Sequence, residues 1–361
     1  NMTLKFDLPF LTDEKYIEFL NIYKDNIESV YFPLNSRMLT SARVVYDKPD
    51  ENFNYKLSLV PFAKKYLIIN ARYNSLIRYD TSQVKIVMNE IKELYENNLL
   101  DGILFSDMYY LKLMVDSDSD LMNNLSIIPS INTFLDSKEK VASYFNYLKL
   151  LGISKYPNKV VLDRSLNRNH KKLVEISNYI RKNYPRMKIE LVANEGCLYN
   201  CPFKINHDII ISLINDNTIA GVNYLNAMLS VSDFKINNLN QSYGCLKLYA
   251  NNESLLLSSP FIRPEDLKYV EDYVDTIKIA GRTLGSDFIM ETARSYFQRS
   301  FKGNLVELLD SPNILNETIY IDNSKIPEDF YQITSNCDKD CLRCNYCNEV
   351  IEKSKVNKPV F

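Results

Sequence analysis

Short apolar runs alternate along most of the chain with longer stretches whose apolar residues recur at helical spacing. Eight runs read as buried strands: Ser29–Pro33, Tyr66–Asn70, Gly102–Ser106, Ser126–Pro129, Lys159–Leu162, Lys188–Ala193, Ser254–Ser258 and Thr276–Ala280. Between them, Ser82–Asn97, Ser137–Leu151, Asn169–Tyr184, Arg263–Tyr273 and Ser286–Phe301 carry one apolar face opposite charged positions, the mark of amphipathic helices. Ser137 ahead of Lys138-Glu139 is a helix start, and Pro264 followed by Glu265-Asp266 is a first turn with proline at its head. The repeating theme of a strand followed by an amphipathic helix predicts an α/β fold with a parallel sheet. Eight such units match a TIM-like (β/α)8 barrel of about 250 residues, with a doubly wound sheet as the alternative.

The pattern stops after Leu309, so the chain divides into a barrel over 2–309 and a C-terminal Cys-rich extension over 310–361. Between Cys201 and Ser254 it is Asn-rich and weakly periodic, which predicts an excursion from the barrel. Only eight glycines occur, and neither G-x-G-x-x-G nor G-x-x-x-x-G-K-[ST] is present, which removes the usual signs of a dinucleotide or Walker phosphate site.

Cysteine placement changes the picture most. Six of the seven fall in two short runs, Cys197-x3-Cys201 and Cys337-x3-Cys341-x2-Cys344-x2-Cys347; Cys245 stands apart. Clustered thiols in a chain with no signal-peptide pattern point to metal or iron–sulfur binding before disulfides. A net charge of −2 from 43 basic and 45 acidic residues argues against a broad basic face for nucleic acid, though not against a local patch. No apolar run spans a bilayer, and the expected location is cytoplasmic. Asn1 ahead of Met2 has the look of a tag remnant.

Active sites of such barrels form at the C-terminal strand ends. There the chain carries Asp163-Arg164-Ser165, Asn194-Glu195-Gly196-Cys197, Arg263, and Lys278-Ile279-Ala280-Gly281-Arg282. Arg164, Arg282 and Lys278 are candidates for binding an anionic substrate; a capping ion pair is the other reading of the two arginines. Glu195 and His207 are candidates for moving protons. Cys197, Cys201 and Cys245 divide off as three ligands that leave one iron of a 4Fe-4S cluster open, and Cys337, Cys341, Cys344 and Cys347 as a closed second site. One cluster drawing on both runs, with Cys245 merely buried, is the competing division. The first three tail cysteines have radical-SAM spacing, yet they follow the barrel and Cys347 is available to close the set. Zinc is the alternative occupant of a four-cysteine run.

The segments Val161-Leu162-Asp163-Arg164-Ser165-Leu166, Asn194-Glu195-Gly196-Cys197-Leu198-Tyr199-Asn200-Cys201-Pro202-Phe203 and Lys278-Ile279-Ala280-Gly281-Arg282 resemble peptidase family U32, the collagenase-like proteins. That resemblance implies a TIM-like barrel with a cysteine-bound 4Fe-4S cluster. It also implies oxygen-independent hydroxylation of RNA bases or ubiquinone precursors, with prephenate as a proposed oxygen donor, or the older peptidase activity. Expected partners are accordingly an anionic small molecule, RNA or a peptide, or a partner protein if the chain is a non-enzymatic accessory with a structural site.

Overall fold

The computed structural model describes residues 4–36, 38–39, 43, 49–215 and 236–356. The far limits of both expected units, and residues 216–235 of the expected excursion, lie outside that set. Among the described residues, eight strands form one sheet: β1 Lys5–Pro9, β2 Ile27–Pro33, β3 Lys64–Ile69, β4 Gly102–Phe105, β5 Ser126–Pro129, β6 Lys159–Val161, β7 Lys188–Val192 and β8 Thr276–Lys278. All pairings are parallel, in the order β5-β4-β3-β2-β1-β8-β7-β6, and helices fill the crossovers. This is a nearly closed (β/α)8 barrel.

The open seam between β5 and β6 is joined by side chains. The Asn158 backbone N–H donates to Ser126 Oγ at 2.9 Å, that hydroxyl donates to Asn158 Oδ1 at 2.8 Å, and the Asn158 amide donates to the Tyr66 hydroxyl at 2.8 Å. On the other side of β5, Gly102 lets β4 come close: a Cβ there would lie 2.4 Å from the Ser126 carbonyl oxygen.

Local chemistry explains most boundaries. Asp13, Asp80, Asp107, Asp118, Ser137 and Asn169 each cap a helix by accepting a hydrogen bond from a first-turn N–H. The helix Thr81–Glu96 buries Val84, Val87, Met88, Ile91 and Leu94 against the sheet, the stripe that its spacing predicts. The strands read as continuous apolar runs because both of their faces are covered.

Two expectations fail. Ser254–Ser258 is a short helix, because leucine suits a helix at least as well as a strand and Leu256 and Leu257 are buried in a second apolar cluster. The remaining strand is Lys5–Pro9, whose apolar run is interrupted by Asp7 and closed by Pro9. Arg263–Tyr273 forms only a 3-10 segment, Pro264–Tyr269. The second cluster lies outside the barrel and combines Leu198, Tyr249 and Phe261 from the β7–β8 connection with Leu305, Ile321, Phe330 and Val350 from the following chain. The C-terminal extension is thereby docked on the segment that carries the first cysteine run. Among the described residues no helix is long and apolar enough to cross a membrane.

Candidate functional site

The barrel interior is divided. Tyr31, Tyr66, Ile68, Leu104, Ile128 and Val161 make an apolar cluster, whereas Asp7, Lys159, Glu190 and Thr276 form a buried polar group. Lys159 pairs with Asp7 and, at 2.6 Å, with Glu190, and the Thr276 hydroxyl donates to Glu190 at 3.3 Å. Burial raises both carboxyls; for Asp7 the Lys159 ammonium and hydrogen bonds outweigh it and hold the group below its usual range. Glu190, buried beside the Asp7 charge, is pushed up to about 8. At neutral pH Glu190 therefore keeps its proton and shares it with Asp7. Two residues further along β8, the Lys278 ammonium sits 3.8 Å from the Tyr31 ring centroid, and burial lowers it to about 8.

Above Lys278 a cavity of about 80 Å³ opens at the barrel mouth, lined among others by Tyr31, Asn70, Arg164, Glu195, Lys278 and Arg282. Gly281, at φ 120°, makes the turn that delivers Arg282, and a Cβ there would fall 2.2 Å from the Phe288 ring. Asn194 ties the two adjacent strand ends together: its amide donates to the Ala280 carbonyl at 2.9 Å and accepts from the Ala280 N–H at 2.7 Å. Glu195 is clamped by Arg164 at 2.8 Å and Arg43 at 3.3 Å, and Arg43 also pairs with Asp310. Burial alone would raise the Glu195 carboxyl, but Arg164, Lys204 and Arg43 bring it far below the carboxylate range. It is a fixed carboxylate at neutral pH.

A second cavity, about 270 Å³, adjoins the first and shares Arg43 and Lys204 with it. Cys197, Cys201 and Cys245 all line it, with His207 and Asn240. The turn after β7 delivers Cys197 and Cys201, and Cys245 begins the helix Cys245–Asn251. Burial, then the Glu195 charge, pushes the Cys197 thiol to about 12; burial and Cys201 push Cys245 to about 11; burial also raises Cys201. His207, on the helix Lys204–Asn215, is depressed to about 4 by burial and the neighbouring Lys204 and Arg43, and its Nε2 lies 3.4 Å from the Asn240 amide nitrogen. All seven cysteines are free. Among the described residues no three Cys, His, Asp or Glu side chains converge as tightly as a single bound ion demands. Three soft thiols lining one cavity are a donor set of the kind that soft metal centres take.

The tail cysteines line a different pocket of about 120 Å³, with Cys337, Cys341 and Cys344 exposed and Cys347 half-buried. Lys339 beside them reaches back to 5.5 Å from the Tyr199 ring centroid, in the first cysteine run. Sequence reasoning did not single out Arg43, Lys204, Asp310 or the Asp7–Lys159–Glu190 group. For the last, the signal was available: charged residues inside otherwise apolar strand runs.

No family model matches the chain. The uncharacterized protease MJ1657 of Methanocaldococcus jannaschii is 30% identical over 319 residues, which cover 87% of this chain and 85% of that protein. Among solved structures, the U32 peptidase Mk0906 is similar with a TM-score of 0.44 and 11% identity over 60% of this chain and 78% of that one. The carboxyl transferase domain of Rhizobium etli pyruvate carboxylase with oxalate has a TM-score of 0.35 and 9% identity over 60% and 39%.

Proposed function

The chain belongs to peptidase family U32, and on that premise we propose that it is an iron–sulfur enzyme whose Cys197, Cys201 and Cys245 hold a 4Fe-4S cluster beside an anion-binding barrel mouth. The observation that carries this reading is the single cavity shared by those three thiols, which has Arg43 and Lys204 in common with the mouth. When bound, a cluster on these three thiolates would supply electron transfer. The chain's own residues then have distinct tasks. Arg43, Arg164 and Lys204 balance the charge of the thiolates, and Glu195 fixes both guanidiniums in place. Lys278 and Arg282 line a space whose cations suit a carboxylate or phosphate group. Lys278, poised near neutrality, can also give up or take a proton there, backed by the Glu190 proton beneath it. His207 acts as a neutral imidazole. The reaction class is an oxygen-independent hydroxylation or related redox modification of an anionic small molecule, RNA or peptide.

A thiol peptidase is the second reading, since cysteines, His207 and Asn240 meet in one cavity and the archaeal relative is named a protease. Thiol catalysis needs a thiolate beside an imidazolium. Here burial drives both groups to their neutral forms, whereas a metal takes the proton's place on sulfur at any pH where it binds. Anaerobic purification separates the two. Iron with acid-labile sulfide and a broad visible absorption band is the expected result. Metal-free protein that cleaves peptides and is silenced by iodoacetamide would overturn it.

A further inference from the structure

The 3-10 turn Arg164–Arg168 carries two buried arginines in unequal circumstances. Arg164 has its carboxylate. Arg168, only 1% exposed, donates from Nε to the Ser259 carbonyl at 3.1 Å and stacks on Phe261 and Phe330, with its guanidinium carbon 4.7 and 5.1 Å from the ring centroids. Its Nη1 and Nη2 are buried without a hydrogen-bond partner. Asp266, which attracts it, is already held by Arg263 through bonds of 2.7 and 3.0 Å. A buried guanidinium in this state calls for a counter-charge. Besides Asp266, the groups that attract it are the Tyr331 hydroxyl, itself buried without a hydrogen-bond partner, and the Cys347 thiol, on the helix Tyr346–Ser354.

Cys347 shares its pocket with Cys337, Cys341 and Cys344. A second cation adjoins the same cysteines: the Lys339 ammonium, on a residue at φ 64°, donates to Cys337 Sγ at 3.2 Å and to the Thr334 carbonyl at 2.7 Å. The loop between the cysteines has almost no core of its own. Its Leu342 is 100% exposed, and its turn rests on the Asp340 carbonyl accepting from the N–H groups of Arg343 and Cys344 at 3.1 and 3.0 Å. Neutral thiols have no use for two flanking cations, whereas thiolates do.

We propose that Cys337, Cys341, Cys344 and Cys347 form a closed four-thiolate site for a soft metal centre, zinc or a second four-iron cluster, with Arg168 and Lys339 as its counter-charges. The proposal is independent of the cluster assigned to Cys197, Cys201 and Cys245. Loading forms four metal–sulfur bonds and releases the four thiol protons, with no change in the oxidation state of sulfur. The side chains of Cys341 and Cys344 are exposed and can turn toward one centre, Cys337 Sγ would give up its bond to the Thr334 carbonyl at 3.4 Å on losing its proton, and the metal supplies the cohesion the loop lacks. Because Arg168 and Arg164 lie on one turn, the site also braces the arginine that holds Glu195.

The test compares full-length wild type with the Cys341→Ser/Cys344→Ser double variant, both purified anaerobically. Zinc, iron and labile sulfide are counted per chain, and N-ethylmaleimide labelling is mapped by mass spectrometry. Both altered residues are exposed, so an unchanged circular dichroism spectrum is expected. The variant should lose about one zinc, or about four irons with their sulfides, while metal retained by the other cysteines stays constant. In wild type, Cys337, Cys341 and Cys344 should resist labelling until a chelator is added. Lys339→Gln, at the surface, should lower metal retention against a competing chelator about tenfold. Equal zinc and iron in both proteins, or prompt labelling of the three thiols in untreated wild type, would overturn the proposal.

Discussion

Replacing Glu190 by Gln should abolish a pH dependence of stability that the wild-type barrel carries. Glu190 titrates near its ordinary 4.5 in the unfolded chain and near 8 in the folded one, because burial and the Asp7 charge disfavour its ionised form. Between those values the native state binds a proton that the unfolded state has released. Its contribution is therefore fully present below 4.5 and is lost as pH rises toward 8. The slope is about 1.4 kcal/mol per pH unit, so from about pH 5.5 to about pH 7 wild type loses about 2 kcal/mol through this group. Asp7 titrates below this window and Lys159 above it. In the variant the amide N–H can take the place of the shared proton toward Asp7, while the amide oxygen keeps the Lys159 contact. Urea unfolding at both pH values gives the difference between the two proteins directly. That difference should move by about 2 kcal/mol in the variant's favour as pH rises. A difference constant within about 0.5 kcal/mol would show that Glu190 is ionised in the barrel, and the shared-proton description would fail.

Arg164→Met should destabilise by about 3–5 kcal/mol near neutral pH, since it leaves Glu195 buried with Arg43 at 3.3 Å as its remaining arginine partner. Because the Glu195 carboxyl is depressed in wild type, its contribution is present above 4.5 and lost on acidification, and the variant should show a smaller loss there; equal acid sensitivity in urea titrations would contradict this. Gly281→Ala adds a Cβ at 2.2 Å from Phe288 on a residue at φ 120°, and should lower stability by about 1–3 kcal/mol. It should also weaken binding of small carboxylates and phosphates, which calorimetry would detect; an unchanged melting temperature would refute the strain. Asn158→Ala removes two side-chain hydrogen bonds at the β5–β6 seam, a cost of about 1–3 kcal/mol, and faster amide exchange should be confined to those strands. Uniform exchange across the barrel would count against a local seam.

Strands buried on both faces were easy to find in the sequence because an apolar run is the direct imprint of two covering layers. Ser254–Ser258 misled because three leucines in a row are buried equally well by a helix packed on the second cluster. Lys5–Pro9 was hidden by the same chemistry that matters at the site, since Asp7 places a buried carboxylate where the continuous run of a strand covered on both faces calls for an apolar residue. The thiols stood out through their spacing. Their surroundings did not: Arg43 meets Glu195 across 152 residues of sequence and Asp310 across 267, and no local pattern encodes such meetings. Nor does composition reveal whether a glutamate is ionised, which here depends on which of Glu190 and Glu195 lies beside another acid and which beside two arginines.

Iron counting in the Cys341→Ser/Cys344→Ser background, where the tail can hold no closed site, tests most directly whether Cys197, Cys201 and Cys245 ligate one cluster. After anaerobic reconstitution this protein should contain about four irons and about four sulfides per chain, and adding Cys245→Ser should reduce both by more than half. Absence of iron from the tail variant, or an iron content that the Cys245 substitution leaves unchanged, would contradict the assignment.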